Sequence, residues 1–185
     1  MREVSDAFLL NMAEVSATLI GLFLVGVFFY VETGFRQLDE RTREVMEPYF
    51  RAGTRIVLLL YALPLGLSLT LVVLGPTWNR VVFLLFSVML LAANADTLPR
   101  IRAVARVTGS NGFVVNELVG SLAVLLLVLI PWVLGGLHPS REDLTWAILL
   151  SFASGFFSVS ALVLSVFDTA RYETAARAEQ EDESR

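Results

Sequence analysis

No cysteine occurs among the 185 residues, which excludes disulfides, thiolate metal sites and cysteine nucleophiles. Lysine is absent too, and all 14 basic residues are arginine. We read that usage as the codon bias of a GC-rich bacterial genome. There is one histidine, His138. It falls in a connection at 135–141 where only Glu142 and Asp143 are near, too few partners for a zinc or haem site. A single histidine also leaves no Ser/His/Asp set. Phosphate-loop, dinucleotide, zinc-protease and EF-hand motifs are all missing. No enzyme, cofactor or metal is expected.

Charge is scarce as well. Only 17% of residues are charged, against 56% hydrophobic, and the mean hydropathy is +0.69. A soluble domain of this length does not need so much apolar material to fill one core. The formal net charge of −4 comes largely from the tail at 179–183, so no nucleic-acid partner is implied. Ten-residue segments of alternating hydropathy, the mark of a membrane barrel, do not occur.

What is present is a series of long apolar blocks at 7–31, 56–75, 81–98, 113–137 and 144–167. A helix needs about 20 residues to cross a hydrocarbon core of roughly 30 Å. Four blocks reach that length, and the third reaches it only if 94–98 sits at the interface. A spanning segment must satisfy its own backbone, so these blocks are helices. The expected fold is therefore an all-α integral membrane protein, a bundle of five transmembrane helices. The alternative is four helices plus a re-entrant third segment. Residues 1–168 form one transmembrane domain, and 169–185 form a cytoplasmic tail, a fraying helix with a disordered acidic end.

Eleven arginines lie in the connections after the first, third and fifth blocks, and only Arg2, Arg80 and Arg141 lie on the other side. The positive-inside rule then puts the N-terminus outside and the C-terminus in the cytoplasm. Trp78, Trp132 and Trp146 fall at the outer ends, and Tyr30, Tyr49 and Tyr172 at the inner ends, as interfacial aromatics do. The first six residues carry Glu3 and Asp6 against one arginine. That is not the basic start of a cleaved signal, so the first helix is expected to remain. The expected location is a bacterial cytoplasmic membrane.

The connection at 32–55 predicts an amphipathic cytoplasmic helix over about 35–51, lying on the membrane or extending the bundle. Phe35, Leu38, Val45, Met46, Tyr49 and Phe50 form its apolar face, and pairs such as Asp39–Arg43 and Glu47–Arg51 its polar face. Pro48 is expected to kink or divide it. Pro64 and Pro131 predict kinks within spans, where a neighbouring helix must satisfy each freed carbonyl. Ser151, Ser154, Gly155, Ser158 and Ser165 form a small-residue seam suited to helix contact.

The first helix is the most informative segment. On a 3.6-residue wheel Ala13, Ala17 and Gly21 form one row, and Asn11, Glu14 and Thr18 form the next. Small residues let helices approach, and polar groups seek partners across such contacts. A carboxylate two turns below a span's outer end is costly without water, a partner or a proton. Packing inside the bundle is one reading of Glu14. The other is an ion path lined by Glu14, Asn11 and Thr18, with Leu22, Val25 and Phe29 as a hydrophobic gate. In a symmetric oligomer Glu14 would recur as an acidic ring that attracts cations.

A second group, Asp96, Glu117 and Asp168, marks a candidate cytoplasmic vestibule, with Arg55, Arg100 and Arg171 as available partners for Glu117. Interfacial salt bridges and caps are the plainer reading of that group. The leading functional expectation is an oligomeric, cation-preferring membrane channel or pore-type transport protein that self-associates in the lipid bilayer and passes an inorganic cation. The alternative is a non-transporting membrane subunit or scaffold whose polar faces bind partner helices.

Overall fold

The computed structural model describes residues 4–33, 40–108 and 111–183, and beyond Val163 it describes the backbone of the last helix. Five helices follow one another: α1 (Asp6–Thr33), α2 (Glu40–Val73), α3 (Pro76–Thr108), α4 (Asn111–Gly135) and α5 (Arg141–Glu183). The described residues contain no strand. Each helix is long and apolar enough to cross a membrane. The third block is one continuous helix in place of the re-entrant alternative.

Short connections make neighbouring helices antiparallel. Only Leu74 and Gly75 separate α2 from α3, and 136–140 separates α4 from α5. These two turns share one end of the bundle with the start of α1. Ser5 caps α1 by accepting a bond from the Phe8 amide at 3.2 Å. Ser140 and Asp143 form a reciprocal cap on α5, with both Ser140 donors at 2.8 Å from Asp143 Oδ2. Gly136 ends α4 in the left-handed region at φ +60°, where a side chain would be strained. An ion pair between Arg141 and Asp6 ties the start of α5 to the start of α1.

Over its described residues the amphipathic segment extends the bundle. Residues 40–51 run directly into the second span as α2, with Pro48 inside it. Proline frees the carbonyl four residues earlier, that of Glu44, and both residues are exposed. Polar surroundings there can meet the lost bond, so the helix continues. Tyr49 and Phe50 are buried against the bundle, while Arg51 pairs outward with Glu47. Phe35, Leu38 and Asp39 lie outside the described residues. Likewise, α5 stays helical to Glu183, where a frayed end and disorder are expected. Its Ala, Glu, Arg and Gln composition favours helix.

α2 is the central helix, packed on α1, α3 and α5, while α4 packs on α5 and α3. Leu60, Leu63 and Leu67 of α2 meet Leu9, Phe83, Leu90, Leu127, Leu144 and Ile148 from the other four helices. In lipid such contacts gain little from leaving water. Close packing and interhelical hydrogen bonds hold the bundle instead.

Pro64 shows how. It removes the donor that would bond the Leu60 carbonyl, and the Ser151 hydroxyl of α5 donates to that oxygen. The next carbonyl, Tyr61, accepts the Ser16 hydroxyl of α1. The proline in the central helix is thus braced from both sides. Gly155 makes the α5 approach possible, because a Cβ there would lie 2.6 Å from Tyr61 Cε1. The serine seam of α5 is a packing seam over Ser151, Ser154 and Gly155. The Ser165 side chain lies outside the described residues.

Candidate functional site

Two polar features stand out in the span-length helices. The first is on the outside of α1. That helix turns Leu9, Ala13 and Ser16 inward and exposes Asn11, Glu14, Ala17, Thr18 and Gly21. Leu22, Val25 and Phe29 are exposed as well. On the wheel Asn11, Glu14, Thr18, Leu22, Val25 and Phe29 fall within about a quarter of a turn, opposite the buried face. The residues expected to form a path and a gate therefore share one outward stripe.

The packing alternative for Glu14, inside the bundle, is not what the structure contains. The row Ala13–Ala17–Gly21 also splits, because Ala13 faces α2 and nothing lies within 4 Å of a Cβ at Gly21. Thr18 donates to the Glu14 carbonyl at 3.0 Å, which leaves the Asn11 amide and the Glu14 carboxyl as the polar groups on offer. Among the described residues Glu14 forms no ion pair.

The second feature is internal, near the end of the bundle opposite the two tight turns. Tyr49 of α2 is 1% exposed and donates to Glu117 Oε1 of α4 at 2.8 Å. Glu117 lines a small cavity, about 20 Å³, with Asn94 of α3, Gly120 and Ser121 of α4 and Ser158 of α5. Ile56, Val124 and Phe157 complete the wall. The volume suits one water-sized occupant, and the lining is polar enough to hold it.

Sequence reasoning places Glu117 at this end and offers it an arginine. The structure gives it a tyrosine. Arg100 donates to Asp96 and to the Pro48 carbonyl, both at 2.7 Å. The geometry explains the difference: Asp96 is one turn before Arg100 on α3, so the local i,i+4 pair forms. Asp96 consequently sits in a surface ion pair and does not line the cavity with Glu117. The side chains of Asp168 and Arg171 lie outside the described residues. Sequence spacing puts Tyr49 on an apolar helix face, and only the tertiary arrangement that brings its hydroxyl to Glu117 reveals its role. Ser121, one turn after Glu117, had a usable signal, since an i,i+4 pair shares a helix face.

A larger groove of about 480 Å³ separates α1 from α5 over α2. Its walls are apolar apart from Tyr30 and Tyr61, so it offers no charged group to an ion. Among the described residues no group of three or more His, Asp or Glu side chains could hold a metal ion.

Together these features define the class: an all-helical chain whose five helices are each long and apolar enough to cross a membrane, with one polar stripe outside and one polar cavity inside. Comparison with protein-family models, curated proteins and solved structures finds no match to this chain.

Proposed function

We propose that the chain is one subunit of an oligomeric, cation-preferring membrane channel or pore-type transport protein. The stripe of α1 faces the oligomer's axis, the N-terminus lies outside, and the membrane is the bacterial cytoplasmic one. The observation that carries this reading is the outward exposure of Asn11, Glu14, Thr18, Leu22, Val25 and Phe29 on one face. A carboxyl group turned away from its own bundle at membrane depth is costly against lipid. Self-association removes that cost by bringing the stripes of several subunits around water.

In such a ring Glu14 concentrates cations and repels anions, and Asn11 helps replace the ion's hydration. Nearer the other end of α1, Leu22, Val25 and Phe29 narrow the path to an apolar constriction that closes by dewetting. The scaffold alternative puts a partner helix, rather than water, against the same stripe.

Ion flux into liposomes holding the purified protein tests the proposal, with wild type and Glu14→Gln run in parallel. The expected result is cation flux in the wild type that is lost or becomes unselective in the variant, with oligomer size unchanged. No flux above empty liposomes, across several ions and both voltage signs, would overturn it and favour the scaffold. Equal, equally selective flux from both proteins would overturn α1 as the lining.

A further inference from the structure

We propose that the internal cavity at Glu117 is a binding site for a single monovalent cation, held by oxygen atoms from α3 and α4 with a hydroxyl from α5. The site is separate from the α1 stripe, and its test does not depend on conduction.

The argument begins with compensation. An ionised carboxylate inside a bundle of spans requires a neutralising partner. Among the described residues none supplies it: Arg100 is engaged by Asp96 and the Pro48 carbonyl, Arg51 pairs with Glu47, and Glu117 forms no ion pair. Tyr49 covers Oε1 but brings no charge. A cation bound in the cavity would supply that neutralisation.

Asn94 is the second, independent sign. It is only 7% exposed, lines the cavity, and its amide has no hydrogen-bond partner among the described residues. Facing the cavity without a partner in the protein, that amide favours an occupant that meets its oxygen. Ser121 and Ser158 add hydroxyl oxygens from two more positions in the wall. The set is one carboxylate, one amide and two hydroxyls.

Charge and size then select the occupant. All donors are hard oxygens, with one formal negative charge among them, which matches one positive charge. A space of about 20 Å³ admits a single dehydrated ion. A divalent ion would leave one positive charge uncompensated beside a single carboxylate, and magnesium also keeps several of its waters, so neither magnesium nor calcium fits. Gly120 lines the space, and a Cβ there would stand in ordinary contact with Ser158 Oγ at 3.9 Å, so a larger side chain is needed to fill it.

The experiment is thermal unfolding of the purified full-length protein at fixed pH, in sodium or potassium chloride against choline chloride of equal ionic strength. The expected result is an unfolding temperature that rises with at least one of the two ions along a saturating curve, and stays flat in choline. Glu117→Gln keeps the Tyr49 bond and should lose the response. Tyr49→Phe, which removes the group orienting the carboxylate, should weaken the apparent ion affinity about tenfold. Gly120→Val fills the space and should abolish the response, a second test if Glu117→Gln fails to fold. Identical behaviour in all three salts would overturn the proposal, leaving a protonated carboxyl beside a water. An unchanged response in either Glu117→Gln or Gly120→Val would overturn it too, by placing the ion elsewhere.

Discussion

The outer stripe of α1 and the interior around α2 draw on the same residue types and put them to opposite uses. Each has an asparagine, a glutamate, a hydroxyl and a glycine: Asn11, Glu14, Thr18 and Gly21 outside, and Asn94, Glu117, Ser158 and Gly120 inside. Inside, the glutamate has a tyrosine donor and the glycines sit close to side chains of other helices. Outside, the glutamate has no partner within the described residues, and open space lies beside the glycine. Within their most apolar windows α2 is 50% buried and α1 only 11%. Composition is the same, so position in the bundle decides whether a polar group is a brace or an offer to a second molecule.

Substitutions at matched positions sharpen or break this contrast. The largest effect should come from Gly155→Val. Its new atoms meet the Tyr61 ring and should cost about 3 kcal/mol of stability, read from unfolding in detergent. Gly21→Val is its partner test and should leave the unfolding temperature of the monomer unchanged. Equal losses from the two would end the distinction between the faces.

Tyr49→Phe should follow, at about 2 kcal/mol, because a half-buried carboxyl loses the one donor it has among the described residues. Smaller still is Ser151→Ala, at about 1 kcal/mol, since the Leu60 carbonyl freed by Pro64 loses its replacement donor. A loss below measurement there would mean that another group reaches that carbonyl. Smallest of all, Glu14→Gln should not move the monomer's unfolding temperature, although it alters flux. A clear loss of monomer stability would place Glu14 in the fold rather than in an assembly.

Much of this was legible in the chain itself. Five apolar blocks became five helices. Pro64 called for a donor from a neighbouring helix, and the serine seam of α5 supplied one. The Glu47–Arg51 pair formed as its spacing implied. Other points were not legible. Pro48 did not divide the amphipathic segment, whose described residues run on into α2, because a proline whose freed carbonyl is exposed does not end a helix. Glu117 took Tyr49 rather than an arginine, because Asp96 lies closer to Arg100 along α3.

Hydropathy and spacing are properties of one segment, and they alone determined which residues form helices and which share a face. What each face meets is a relation between segments. The burial of Ser16 and the exposure of Glu14, two residues apart on one helix, follow from how α1 leans on α2. The meeting of Tyr49, Asn94, Glu117 and Ser158 needs four helices at once. Tertiary packing alone decided it, because in a bilayer, where apolar faces gain little by leaving lipid, shape and hydrogen bonding choose which faces close on each other.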